Sequence, residues 1–308
     1  MTLVQLRYLV ALDTHRHFGD AAAACDVSQP TLSTQLRRLE DEVGVELIDR
    51  SHQPVVPTGM GERFIEQART VLAERDRLQM LADEAEDRIT GTLRLGLLPT
   101  LSPYLLPLVL PAMEEAHPDV TLVLREWPTA ELLDAVETDT LDAALIATDE
   151  AGSTLYENRL FTEPFVGYVA PSHRLAGRDT LTPSVLSASD LWLLSEGHCF
   201  RDQVLEVCGT SPPSSSGTVQ FESGSLETLV HLVRHSGGMT LLPALATHHM
   251  SASERETYVI PFADQSDMRA RPTRDVRLVG RRRHKQPLVD AVVSTLHDAL
   301  PPTVTRRS

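Results

Sequence analysis

Apolar residues recur at three- and four-residue spacings along the opening stretch of the chain, which predicts a helical head ahead of any other element. Leu3, Leu6, Leu9 and Val10 give one apolar face, and Asp20 followed by Ala21 to Ala24 and Cys25 makes a short helix of small residues that another helix can approach closely. Asp26 and Val27 form a turn. Ser28 then caps a third helix, Pro30 sits in its first turn where the missing N–H is harmless, and Leu32, Leu36, Leu39 and Val43 form its buried stripe before Gly44 stops it. The opposite face carries Thr31, Ser33, Thr34, Gln35, Arg37 and Arg38, short polar and basic side chains suited to base edges and phosphates. Val45 to Arg50 and Pro54 to Thr58 read as two short strands around a polar tip at His52 and Gln53, with Arg50 placed to reach a phosphate. The pattern predicts a winged helix-turn-helix over residues 1–58, its third helix the recognition helix.

From Gly59 to about Ile89 there is no proline and no internal glycine beyond Gly61. Phe64, Ala68, Val71, Leu78, Ala82 and Ala85 follow alternating three- and four-residue spacings, broken at Arg75, which predicts one long linker helix over 59–89 with a narrow dimerisation seam. Beyond it the period changes. Strands are predicted at Leu93 to Leu98, Val120 to Glu126, Ala143 to Ile146, Phe165 to Val169, Leu191 to Leu194, Val219 to Phe221, Met239 to Leu242 and Val276 to Val279. Helices are predicted from about Leu105 to Ala116, Ala130 to Thr138, Leu226 to His235 and Leu288 to Leu300. Such alternation implies a parallel α/β body over 90–308. Interruptions near Leu160 to Pro164 and Asp264 to Thr273 divide it into lobe I, about 90–163 and 268–300, and lobe II, about 164–267, with a cleft between. Ser211 to Gly217 reads as a loose Pro/Ser loop, and the tail from Pro301 as disordered.

Composition narrows the classes. A chain of 308 residues with 42% hydrophobic and 23% charged residues is a soluble globular protein of two or three domains. No apolar run approaches the roughly 18 residues of a membrane span and no signal-peptide pattern opens the chain, so a cytoplasmic location without membrane contact is expected. The net charge of −15 disfavours nonspecific phosphate binding, yet a small reading head on an acidic body can still bind specific sites. Lys285 is the only lysine, which reads as compositional bias. Three cysteines in a reducing compartment argue against a static disulfide framework and suit a transient one.

The most informative string is Gly197-His198-Cys199-Phe200-Arg201-Asp202-Gln203, followed by Cys208. A helix starting near Phe200 aims its positive end at the Cys199 sulfur, and His198 and Arg201 add a proton donor and a charge. In a helix, residues nine apart lie roughly 13 Å apart along the axis and point to opposite sides. A disulfide needs Cα atoms about 4.4 to 6.8 Å apart, so bonding this pair requires local unwinding. Free cysteines more often fill a core, and Cys25 is read that way.

The chain resembles the LysR-type transcriptional regulators over nearly its full length. The resemblance runs from Ala21-Ala22 through Val27-Ser28-Gln29-Pro30-Thr31-Leu32-Ser33 to Leu36, Leu39-Glu40, Gly44-Val45, Leu47, Arg50 and Thr58. Within the family it is similar to the hydrogen peroxide-sensing branch. That likeness rests on Gly197-His198-Cys199, Arg201-Asp202-Gln203, Cys208, Pro99-Thr100, Pro103 to Pro107, Ser225 to Leu229 and Thr240 to Ala246. It implies a winged helix-turn-helix, a linker helix and a two-lobed regulatory domain like a periplasmic binding protein. It implies DNA contacts from Ser28, Gln29, Pro30, Thr31, Ser33, Gln35, Arg37 and Arg50. Cys199 is implied as peroxidatic thiol and Cys208 as its resolving partner, with Thr100, Thr129 and His198 around the peroxide. An arginine from the other lobe is expected there; Arg269, Arg271 and Arg274 lie in the stretch, and Arg271 is favoured. The partners implied are double-stranded promoter DNA, hydrogen peroxide as signal, RNA polymerase, a thiol reductant for resetting, and three further copies in a homotetramer, with no cofactor or metal. The alternative is a LysR-type regulator that binds a small organic effector in the cleft. A peroxidase is a third class, but it has no use for a DNA-reading head.

Overall fold

Thr2 and Gln5 open helix α1 (Leu3–His15) by capping each other's backbone, so two donors that a helix N-terminus leaves unpaired are satisfied. The computed structural model describes residues 1–84, 89–149, 155–209, 224–263, 271–281 and 285–306, and the chain forms two units, Met1–Arg88 and Ile89–Ser308. In the first, α1 packs on α2 (Phe18–Ala24) and α3 (Gln29–Val43) through Leu6, Leu9, Leu12, Ala21, Ala22, Leu32, Leu36 and Leu39, all buried. Leu3 was expected in that face but is 44% exposed. Ser28 caps α3 through the Thr31 N–H, and Gly44 ends it at φ 76°, the left-handed region that glycine enters without strain. Strands β1 (Ile48–Asp49) and β2 (Val56–Pro57) pair antiparallel as the wing.

Helix α4 (Gly59–Glu84) buries Ile65, Ala68 and Ala73, and Arg69 pairs with Asp13 of α1 at 2.8 Å. Of the predicted seam, Phe64 packs on the head, whereas Val71 and Leu78 are 44% and 69% exposed. The Ala82 side chain and Ala85 lie outside what is described.

In the second unit the first strands alternate with helices as expected: β3 (Gly91–Leu97), α5 (Ser102–Ala116), β4 (Val120–Glu126), α6 (Thr129–Glu137) and β5 (Ala143–Ile146). β3 pairs parallel with both β4 and β5. The purely parallel body does not hold beyond this point. Strand β6 (Tyr156–Val169) is continuous through Leu160 to Pro164, where an interruption was expected. Its first part runs antiparallel to β9 (Thr273–Gly280), which is itself antiparallel to β5. Its last part runs antiparallel to β7 (Met239–Pro243) and β8 (Val259–Pro261). One strand therefore serves both lobes, and Pro164, which has no N–H to donate, stands where it changes partners.

Helix α7 (Cys199–Cys208) is followed by Gly209 at φ 62°, and α8 (Leu226–Ser236), α9 (Ala252–Tyr258) and α10 (Gln286–Ala299) complete the helices named here. Leu191 to Leu194 is not a strand; it makes one bridge, Leu191 to Met239. Val219 to Phe221 lies outside the described residues. The tail is ordered rather than disordered as far as residue 306: Leu300 and Val304 are buried, and β10 (Thr305–Arg306) pairs with Thr162 and Phe161 of β6. Among the described residues no helix is long and apolar enough to cross a membrane.

Candidate redox site and nucleic-acid interface

Cys199 is the first residue of α7, and its N-cap His198 makes no side-chain cap, while the Arg201 N–H donates to His198 O at 2.9 Å. That end of the helix carries partial positive charge. Cys199 is half-buried and Cys208, the last residue of the same helix, is buried; all three cysteines are free thiols. Burial pushes the Cys208 thiol up to about 11. The two ends of α7 thus present opposite environments. Arg201 donates through Nη1 to Leu194 O at 2.9 Å, so its charge is held to one side by that carbonyl. Gly224 lies against His198: a methyl group there would stand 3.2 Å from Nε2.

The structure brings Thr100, Thr129, His198 and Cys199 together around one small cavity, closed by Pro99, Pro128 and Gly197. The cavity is small, about 10 Å³, close to the least that holds one water. Thr100 is 2% exposed and follows β3; Thr129 opens α6, with Pro128 as N-cap. Neither threonine caps a helix, and the Thr129 hydroxyl is buried with no partner among the described residues. A buried polar atom left unpaired in this way costs stability unless a ligand or water meets it.

Of the three arginines offered for this pocket, Arg274 bonds to Thr100 in its wall: its Nη1 donates to Thr100 Oγ1 at 3.1 Å and its Nη2 to Thr100 O at 3.2 Å. Arg271 and Arg274 both line a separate, larger cavity of about 850 Å³ with Phe165, Gln203 and Val207. Arg269 lies outside the described residues. Sequence reasoning missed Glu163 and Phe200. Glu163 Oε1 accepts from Arg274 Nε at 2.7 Å, and the Phe200 ring covers the guanidinium with 5.3 Å from its carbon to the ring centroid. A lone acid inside the apolar run around Phe161 and Phe165 was the available signal for the first. Cys208 does not line the small cavity.

On the head, Ser28, Gln29, Pro30, Thr31, Arg37 and Arg38 are exposed, while Ser33 and Gln35 are half-buried. Gln5 Nε2 donates to Gln35 Oε1 at 3.4 Å and so orients its amide. Arg50 is turned inward more than expected. Its Nη2 donates to Glu40 Oε2 at 2.5 Å, and Glu40 Oε1 accepts from the Leu47 and Ile48 N–H groups at 2.9 and 3.1 Å. Arg50 therefore braces the start of the wing.

A helix-turn-helix head with a basic, polar third helix, followed by a two-lobed α/β body, defines a DNA-binding transcription regulator. Residues 3–62 match the bacterial regulatory helix-turn-helix protein, lysR family, and residues 86–301 match the LysR substrate binding domain. The chain belongs to the LysR family. It is 37% identical over 281 residues, 91% of each chain, to a Haemophilus influenzae protein named hydrogen peroxide-inducible genes activator. It is 39% identical over 246 residues, 80% of each chain, to the DNA-binding transcriptional dual regulator OxyR of Escherichia coli K12. Full-length OxyR of Pseudomonas aeruginosa, with aspartate in place of a cysteine, matches with a TM-score of 0.78 at 34% identity over 96% of this chain and 98% of that one. A hydrogen peroxide-bound cysteine mutant of Corynebacterium glutamicum OxyR matches with a TM-score of 0.61 at 31% identity, over 97% and 92%.

Proposed function

We propose that this chain is a hydrogen peroxide-sensing transcription regulator of antioxidant genes, switched by a reversible bond between Cys199 and Cys208. The observation that carries the proposal is the small cavity in which the helix N-terminal Cys199 meets Thr100, Thr129 and His198. The relatives named for hydrogen peroxide support it. The Cys199 thiolate attacks one peroxide oxygen, a sulfur–oxygen bond forms, and the O–O bond breaks. Sulfur is oxidised to a sulfenic acid, and the second oxygen leaves as hydroxide and takes a proton, becoming water. The Cys208 thiol then displaces the sulfenic hydroxyl, releasing a second water as the disulfide forms. A dithiol reductant returns both cysteines to thiols.

The two cysteines end one helix of ten residues, so the second step requires α7 to unwind. Phe200, Val204 and Leu205 are buried and must repack as it does. In this reading residues 1–58 read DNA, the helix over 59–89 pairs subunits through Val71 and Leu78, and 90–308 senses. Lobe I takes about 90–163 and 268–300, and lobe II about 164–267. A cytoplasmic homotetramer contacts promoter DNA and RNA polymerase, and the repacked body changes the spacing of its DNA heads. Ser28 to Thr31, Ser33, Gln35 and Arg37 supply the DNA contacts, with Arg50 steadying the wing. The test is a DNA footprint of reduced and peroxide-treated protein. A changed footprint that is lost in Cys199→Ser is expected. An identical footprint in both states, with the disulfide fully formed, would remove the switch. Induction that survives Cys199→Ser would favour an organic effector.

A further inference from the structure

Glu163 and Arg274 face each other in register across β6 and β9, and both are buried, at 0% and 3% exposure. An ion pair this deep is expensive to desolvate and contributes little net stability over a well-packed apolar pair. Every edge of the Arg274 guanidinium that meets a partner is used. Nε and Nη2 both lie 2.7 Å from Glu163 Oε1, Nη1 and Nη2 donate to Thr100, and Phe200 covers a face. Glu163 is itself fixed, because its Oε2 accepts from the Leu245 N–H at 3.1 Å, in the 3₁₀ turn Ala244–Thr247 that follows β7.

Resting on the reading of Cys199 as peroxidatic thiol, we propose that Glu163 is a positioning residue for its reaction with peroxide, acting through Arg274 on the Thr100 hydroxyl. A threonine hydroxyl has two lone pairs and one proton. Arg274 Nη1 occupies a lone pair of Thr100, and the hydroxyl donates to no acceptor among the described residues. Its proton is therefore left for the cavity that Thr100 lines. Accepting from a guanidinium also polarises the O–H and strengthens it as a donor. In the first step the departing peroxide oxygen gains negative charge as the O–O bond breaks, and a fixed donor aimed at it lowers the barrier. Without Glu163 the guanidinium loses its anchor, and Thr100 loses the contact that sets its direction. Arg274 does not line the cavity, so both charged residues act at one remove from the reacting atoms.

The test uses full-length reduced protein and two reagents for the Cys199 thiol: hydrogen peroxide, which needs the departing oxygen stabilised, and iodoacetamide, which does not. Glu163→Gln is expected to slow peroxide by on the order of 10- to 100-fold and leave alkylation unchanged. Arg274→Gln added to it should slow peroxide little further, since the two act as one unit. Should Glu163→Gln not fold, the apolar pair Glu163→Leu with Arg274→Met removes both charges together and should show the same selective loss. Unchanged rates with both reagents, or equal losses with both, would overturn the positioning role. A wild-type protein whose Cys199 ignores peroxide would remove the underlying reading as well; a wild type that reacts beside an equally fast variant removes the inference alone.

Discussion

The two ends of α7 carry the same side chain in opposite settings. Cys199 sits half-buried on the first turn beside the small cavity, whereas Cys208 is buried with its thiol pushed up to about 11. A thiolate is the nucleophile, so the raised Cys208 thiol is a poor attacker near neutral pH. In the proposed switch this contrast sets an order of events: the helix keeps the second thiol distant until the first has been oxidised.

The comparison breaks most completely at the cysteines themselves. Cys199→Ser should abolish fast reaction with peroxide, and Cys208→Ser should react normally but stop at a sulfenic acid that dimedone traps and mass spectrometry detects. Equal reactivity in the two variants would erase the distinction between the ends. Next in size is Phe200→Ala, which removes a ring packed on Phe165 with 5.4 Å between centroids and uncovers Arg274. It should cost about 3 to 5 kcal/mol in urea denaturation, more than Val207→Ala, because Val207 is only half-buried.

A smaller effect concerns pH. Burial raises the Cys208 thiol from 9.0 to about 11 in the folded state, so between those values the native protein holds a proton that the unfolded chain has lost. Stability from this group is fully present below about pH 9 and is lost as pH rises toward about 11. Comparing urea midpoints of the wild type and Cys208→Ala across that window should show the decline flattened in the variant. Smallest is Gly224→Ala, whose methyl would stand 3.2 Å from His198 Nε2 and nudge the ring. Peroxide reaction should slow modestly and the urea midpoint should hardly move.

The recognition helix was legible because its signals are local: Ser28, Pro30, the apolar stripe and Gly44 each act within one helix. The α7 thiols were legible for the same reason. The direction of the later strands was not, since a two-residue period places side chains on faces but says nothing of which neighbour a strand takes or in which sense. Pro164 looked like a break because proline weakens a central strand, yet β6 changes partners there. The Arg274 contact with Thr100 could not be read from composition; it depends on register against Glu163, more than a hundred residues earlier. The tail read as disordered from Pro301 because its few apolar residues, Val304 among them, gave no period.

Hydrogen exchange along residues 199–208 reads whether α7 holds the thiols apart until oxidation. Reduced protein and peroxide-treated Cys208→Ser, which carries the sulfenic acid alone, should protect this segment alike, and peroxide-treated wild type should lose that protection as the disulfide forms. Unchanged protection in the fully disulfide-bonded protein would contradict it.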